Sequence, residues 1–298
     1  MDPATTFYDA LAPLFDVMTD WDARLAAEGP FLRQLLDEAG ARQVLDAACG
    51  SGGHALALTR WGYAVTAIDA SPAMIALAKQ KAEVQRLATT FAVADLADLA
   101  ALPPSLLARE EEFDAVLCLG NSLPHLLSHA ELAAALQSMA AALRPGGLFI
   151  TQNLNYDLRW KKQPRFFAAQ GGELAGQPVL VWRFADYQVD AERIAFHIAL
   201  FRPGRAEPGA GPAHDWNVEV HTTPQRPLFL ADLTAALTAA GFAQIQAYGR
   251  MALPREPFDP EAAPDLVVTA RLSCQAPGTS EVPGAWQVSM TFSSPVRL

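Results

Sequence analysis

Val44-Leu45-Asp46-Ala47-Ala48-Cys49-Gly50-Ser51-Gly52-Gly53 is a short apolar run that ends in an acid and small residues and then breaks into glycines. The stretch 43–48 has the length and apolarity of a buried strand, and the glycines open a helix predicted over 53–60. Glycines at such a turn let the backbone take left-handed conformations and come close to a ligand. Taken singly, a Gly-rich turn is weak evidence for any ligand. A phosphate-binding P-loop ends in Gly-Lys-Ser/Thr, and no lysine stands here. A dinucleotide turn carries Gly-x-Gly-x-x-Gly, but only Gly50 and Gly52 are present and position 55 is alanine.

On the N-terminal side, Phe7, Leu11, Leu14, Phe15 and Met18 recur at helical spacing and predict a helix over 7–25. A second helix is expected over 30–39, closed by Gly40. On the C-terminal side, strand 63–68 runs to Asp69, and helix 72–87 starts with Ser71 as cap and Pro72 in its first turn. Strand 90–94 runs to Asp95, and strand 114–119 to Gly120-Asn121-Ser122. Helix 130–143, the turn Pro145-Gly146-Gly147 and strand 148–153 follow. This alternation predicts an α/β fold: a Rossmann-like, mostly parallel sheet with helices on both faces. Ligands in such sheets bind beyond the carboxyl ends of the strands, where the acids and glycines would gather.

After residue 160 the pattern changes to strands at 179–184, 193–200 and 216–222, with a Pro- and Gly-rich loop at 203–213. Helix 230–240 and strands 243–248 and 265–272 return to the first scheme. The expected division is a core over 1–154, an antiparallel β insertion over 155–225 serving as substrate lid, the rest of the core over 226–272, and a tail over 273–298. Trp286–Met290 is the one stretch of that tail that reads as an element. The basic patch Arg159, Lys161, Lys162 and Arg165 reads as a solvated loop.

The 298 residues carry a formal charge of −10 and are 51% hydrophobic, a composition that excludes disorder and argues against a nucleic-acid surface. No stretch is apolar enough to span a membrane, and the first residues lack the basic and apolar regions of a secretion signal. Cys49, Cys118 and Cys274 fit neither a disulfide framework nor a zinc site, which points to a cytoplasmic protein without metal. The expected partner is a small molecule.

The chain around Asp46–Gly52 resembles motif I of class I S-adenosylmethionine-dependent methyltransferases, with Ala48 in place of the first glycine. The resemblance implies S-adenosylmethionine as cofactor and a seven-stranded sheet with an antiparallel last strand. It implies that Asp69 accepts the ribose hydroxyls, that Met74 packs on adenine, and that Asp95-Leu96 meets the adenine edge. Leu119-Gly120-Asn121-Ser122-Leu123-Pro124-His125-Leu126 is similar to the loop of the glycine/sarcosine N-methyltransferase-like branch, as is Asn155-Tyr156-Asp157. That likeness implies pocket roles for Asn121, Ser122, His125 and Tyr156, with His125, Asn121 and Tyr156 as the catalytic group. It places Arg24 on the cofactor's carboxylate, which a guanidinium can hold in a bidentate fork. Tyr8, Trp21, Asp46, Ala48, Gly50, Gly52, Ala70 and Leu119 complete the implied cofactor contacts.

One departure bears on the substrate. The glycine enzymes carry an arginine two residues before the tyrosine, where this chain has Leu154. A buried substrate carboxylate without a cation is unfavourable. The expected acceptor is therefore a less acidic or larger amine, with a hydroxyl compound as the alternative and Arg159 or Arg183 as possible substitutes for the missing cation. Trp182, Phe184, Tyr187 and His197 would belong to the lid, as packing more than as recognition. His125 is either a general base or a positioning group, and positioning is favoured because solvent can deprotonate an amine. Cys49 as a nucleophile is disfavoured. The rival readings are an NAD-dependent oxidoreductase and a catalytically silent S-adenosylmethionine-binding regulatory protein.

Overall fold

The computed structural model of the chain describes residues 3–99, 112–204 and 215–274. Strand β1 (Gln43–Ala47) lies in the middle of a seven-stranded sheet, followed by α3 (Gly53–Arg60), β2 (Ala64–Asp69), α4 (Pro72–Gln85) and β3 (Thr90–Val93). Next come β4 (Phe113–Cys118), α5 (His129–Ala142) and β5 (Leu143–Leu154). After the second sheet, α7 (Leu230–Ala239), β10 (Phe242–Tyr248) and β11 (Asp265–Leu272) close the first. The order is β10-β11-β5-β4-β1-β2-β3, and β11 runs antiparallel to both its neighbours. β1 pairs in parallel with β2 on one side and β4 on the other. The direction of winding reverses there, so a crevice opens beyond the carboxyl ends of β1 and β4.

The period-two alternation of the strands fills a core on each face. Leu45, Val116, Phe149 and Val268 meet Leu136, Met139, Leu233 and Leu237 of α5 and α7. Val44, Val65, Leu117 and Ile150 meet Leu32, Leu36, Leu56 and Ile75 of the helices opposite. Each large side chain fully buried in this way contributes about 1.5–3 kcal/mol.

The N-terminal segment departs from expectation. In place of one helix over 7–25, α1 (Pro3–Leu11) gives way to a single 3-10 turn, Ala12–Leu14, and a loop. Pro13 accounts for the break, since it has no N–H and crowds the preceding turn. α2 (Trp21–Glu38) then starts at Asp20, whose side chain accepts from Ala23 N at 3.0 Å. It runs through Pro30, where the second helix was expected to begin. An interior proline costs about 3 kcal/mol. Phe31, Leu32, Leu35 and Leu36 are all buried just beyond it, and at the burial gain given above they outweigh that cost.

Pro145-Gly146-Gly147 is a bulge inside β5 and not a turn ahead of it: the pairing with β4 jumps from Phe113–Leu143 to Ala115–Leu148. Of the basic patch only Arg165 lies in a loop. α6 (Tyr156–Lys162) is capped by Asn155, which accepts from Leu158 N at 3.0 Å, and carries Arg159, Lys161 and Lys162 in its last turn. Cations there face the negative end of the helix dipole. Lys161 pairs with Glu261, and Arg165 with Asp186 at 2.7 Å.

A second, four-stranded antiparallel sheet holds β6 (Gln170–Leu174), β7 (Gln177–Gln188), β8 (Arg193–Pro203) and β9 (Trp216–Gln225) in that order. β6 has no strand signature in its sequence and is held by pairing with β7. One face of this sheet, with Val179, Val181, Ile198 and Leu200, packs on Phe7, Leu11 and Leu14. α1 is thereby held between the second sheet and the crevice. Most of the 203–213 loop and nearly all of the 273–298 tail, including Trp286–Met290, lie outside the described residues. No helix among the described residues is long and apolar enough to cross a membrane.

Candidate active site

A cavity of about 390 Å³ occupies the crevice beyond β1 and β4, with Tyr8 of α1 and Phe15 in its wall. Its floor is the turn after β1. Ala48 and Gly50 line it in left-handed backbone conformations, at φ +65° and +55°. Gly52, also left-handed at φ +80°, does not line the cavity; it backs onto α4, where an added Cβ would lie 2.9 Å from Ala78 Cβ. Gly53 is covered by the ring of Trp21, a lining residue that an added Cβ would overlap.

Two acids stand at the strand ends, and both line the cavity. Asp69 accepts Gly50 N at 2.8 Å and Ser71 N at 2.9 Å, so it ties the turn to the start of α4. Burial pushes its carboxyl above the usual range, against the pull of those two N–H groups. Asp46 is buried more completely, and one of its oxygens, Oδ2, has no hydrogen-bond partner. Burial raises its pKa to about 6. Ser71 accepts Met74 N at 3.1 Å and donates to Asp9 of α1 at 2.5 Å. Ala70, Met74, Asp95 and Leu96 complete that side of the wall, with Asp95 accepting Ala97 N at 2.8 Å.

The opposite wall comes from the loop after β4, through Leu119, Ser122 and His125. Tyr8 O–H and His125 Nε2 are 3.0 Å apart. Burial, and after it the charge of Asp69, raises the Tyr8 phenol, which keeps it a donor. Gln225 Nε2 lies 3.4 Å from the same imidazole nitrogen and Thr223 Oγ1 3.5 Å from Nδ1. In the Nδ1–H tautomer, Nε2 accepts from both Tyr8 O–H and Gln225 Nε2. Behind His125, Asn121 Nδ2 donates to Tyr156 O–H at 3.0 Å, and Tyr156 donates to Gln225 Oε1 at 3.1 Å. Asn121 and Tyr156 are thus one layer back from the cavity lining. Asn121 is turned there by its own left-handed backbone, φ +65°, with its Oδ1 accepting Leu154 N at 3.0 Å.

Arg24 lines the cavity on α2 and is bonded through Nε to Glu28. Arg159 and Arg183 do not line it: Arg159 lies over the ring of Phe167, and Arg183 donates to Met18 O at 2.8 Å. Trp182, Phe184, Tyr187 and His197 also stay outside the lining, and Phe184 stacks on His197 at 4.5 Å. Cys49 lines the cavity, and burial pushes its thiol well above the ordinary value, which disfavours the thiolate that a nucleophile needs. His54 lines the cavity, and Glu28, Thr223 and Gln225 stand behind it on Arg24, His54 and His125; none of the four carries a local sequence signal. Among the described residues no cluster of His, Cys, Asp and Glu is suited to a metal ion.

A family model described as a methyltransferase domain matches residues 44–147, which hold both the turn after β1 and the loop after β4. A glycine/sarcosine N-methyltransferase of Parasynechococcus marenigrum (strain WH8102) is 31% identical over 79% of this chain and 75% of its own length. The chain belongs to the class I S-adenosylmethionine-dependent methyltransferases. A glycine/sarcosine N-methyltransferase of Aphanothece halophytica is 34% identical over 51% of this chain and 55% of its own length. The solved structure of an S-adenosylmethionine-dependent methyltransferase from Clostridium acetobutylicum ATCC 824 shares the fold, with a TM-score of 0.67 at 16% identity. That match covers 91% of this chain and 99% of the other.

The methyltransferase cavity suits S-adenosylmethionine on its own geometry. The unpartnered Asp46 Oδ2 offers an acceptor to a cationic ligand, and Asp69 keeps lone pairs for a diol beyond its two backbone bonds. With this cofactor the NAD-dependent reading falls.

Proposed function

We propose that this methyltransferase transfers the methyl group to the nitrogen of a small amine that brings no carboxylate into the pocket. The observation that carries the reading is the wall around His125. It is a chain of hydrogen bonds, Asn121 to Tyr156 to Gln225 to His125, with Tyr8 bonded to His125 from the other side, and no carboxylate or guanidinium among these groups. The one arginine among the described lining residues is Arg24. Leu154 stands where the glycine enzymes place a cation, and Arg159 and Arg183 are engaged elsewhere.

When bound, S-adenosylmethionine supplies a methyl group already activated on a sulfonium. The protein's part is to bind, orient and exclude water, and orientation of this kind is worth about 7–11 kcal/mol in well-aligned systems. Asp69 would hold the ribose, Met74 and Leu96 the adenine, and Arg24 the carboxylate of the methionine arm. His125 would act by position: Tyr8 O–H and Gln225 Nε2 both lie within hydrogen-bond reach of its Nε2, so the ring anchors Tyr8 at the cavity wall. The paired walls of α1 and the second sheet would serve as the lid. Cys49 and Cys118, unpaired and buried, suit a reducing compartment such as the cytoplasm.

The test is methyl transfer from labelled S-adenosylmethionine to matched acceptors: glycine and sarcosine, amines without a carboxylate, and their hydroxyl counterparts. Turnover of the uncharged-tail amines with poor use of glycine is expected. Preference for glycine, for hydroxyls only, or tight cofactor binding without transfer to any acceptor would each overturn the reading.

A further inference from the structure

Arg24 is held from behind by a pair, one member buried and the other largely so, that the reaction itself does not require. Its Nε lies 3.0 and 3.1 Å from the two oxygens of Glu28, one helical turn on along α2. Glu28 Oε2 is also 2.7 Å from Nε2 of His54, in the first turn of α3. The side chains of Glu28 and His54 are only 17% and 7% exposed. His54 stands edge-on to the Trp21 ring, with centroids 5.2 Å apart, and the Arg24 guanidinium lies over that same ring at 5.4 Å.

An ordinary i,i+4 ion pair on a helix surface is worth about 0.3–0.5 kcal/mol and needs no third residue. Here a histidine is buried to complete it, on a helix whose other first-turn residues are small or apolar. The carboxyl of Glu28 is held below its usual range although burial pushes it the other way, chiefly by the bond to His54. Because Nε is taken, the Nη1/Nη2 edge is the part of the guanidinium without a partner among the described residues. That edge suits a carboxylate fork.

We propose that Glu28, anchored by His54, is a positioning residue for the cofactor: it fixes Arg24 through Nε and so presents the Nη edge to the carboxylate of the methionine arm. This rests on the reading above, in which Arg24 meets that carboxylate. Charge and position pull in opposite directions here. If Glu28 acted only as a charge, its removal would leave the charge of Arg24 uncompensated and tighten a carboxylate ligand. If it acts by position, removal loosens one.

The test is calorimetric binding of S-adenosylhomocysteine and of its decarboxylated analogue, which keeps the amino group, to the full chain. Arg24→Met should erase the preference for the carboxylate-bearing ligand. Glu28→Gln and His54→Leu should each weaken S-adenosylhomocysteine by about tenfold, one charge-assisted hydrogen bond at its weaker end. Both should leave the analogue within about twofold, which also reports an intact fold. Tighter S-adenosylhomocysteine in Glu28→Gln, unchanged affinity in both variants, or equal losses for both ligands would overturn the proposal while leaving Arg24 in place. An unchanged preference in Arg24→Met would instead remove the carboxylate reading, and the proposal with it.

Discussion

Asp46→Asn should make the ligand-free protein more stable at neutral pH. Asp46 is buried, Oδ2 lacks a partner, and burial moves its pKa from 3.8 to about 6. The folded state therefore holds this proton more tightly than the unfolded chain does. Between about pH 4 and pH 6 the folded protein binds the extra proton, so stability falls as pH rises, by about 1.4 kcal/mol per unit. Above that window the full penalty is present, roughly two units or about 3 kcal/mol. Asparagine has no proton to lose and keeps an oxygen for the Ala55 N–H that bonds Asp46. The assay is urea unfolding of both proteins from pH 5 to pH 8. The variant should gain on the wild type by about 1–2 kcal/mol across pH 5–7 and then run parallel to it. A difference that does not change with pH, or a variant less stable at pH 7.5, would refute the argument. The same change should weaken S-adenosylmethionine, because the cavity loses an acceptor aimed at a cationic ligand.

Ala48→Gly should raise thermal stability: alanine at φ +65° carries about 1–2 kcal/mol of left-handed strain against glycine's entropic cost of about 0.5–1 kcal/mol. A melting midpoint that stays or falls contradicts that strain. Gly53→Ala places a methyl against the Trp21 ring and should displace it from its contacts with Arg24 and Lys81, lowering cofactor affinity by at least about tenfold. Native affinity with unchanged tryptophan fluorescence would show that the ring has room. Tyr156→Phe removes the link between Asn121 and Gln225 and should cost about 1–3 kcal/mol in unfolding free energy, since the buried Gln225 loses its donor and the half-buried Asn121 an acceptor. An unaltered denaturation curve would mean that water takes over the link.

The parts legible in the sequence are those whose cause is local. Ser71-Pro72 starts α4 because a cap and a preset φ act within one turn, and the observed bond to Met74 N is that cap. The central strands follow from short apolar runs that end in acids and glycines. The break at 12–20 also has a local cause, Pro13, which the helical spacing of the apolar residues around it masks; the passage of α2 through Pro30 depends on burial against other elements, which residue preferences do not contain. β6 is a strand because β7 offers an edge, not because Gln-Gly-Gly-Glu-Leu favours one. In the site, family likeness led to His125 and Arg24. The residues behind them stayed hidden because contact is made only in the fold: Gln225 lies a hundred positions from His125, and His54 twenty-six from Glu28.

The same site concentrates features that oppose folding. Ala48 and Asn121 are non-glycine residues in left-handed backbone, and Asp46 is an acid buried with an empty oxygen. Four acids line the cavity, Asp46, Asp69, Asp95 and Glu131, against Arg24 and two histidines. Strain and like charge of this kind persist only where the surrounding structure over-determines them. Here the surroundings are the two apolar faces of the sheet and the clamp on α1. S-adenosylmethionine carries a net positive charge through its sulfonium and ammonium groups, so binding relieves the repulsion that folding left in place. The product S-adenosylhomocysteine has lost the sulfonium charge and relieves less of it. An acid-lined cavity therefore favours the reactant over the product without any contact at the transferred methyl group. In this arrangement instability of the empty site and release of the spent cofactor have one electrostatic origin. Asp46→Asn should accordingly narrow the affinity gap between S-adenosylmethionine and S-adenosylhomocysteine, and an unchanged gap on calorimetric titration would separate the two effects.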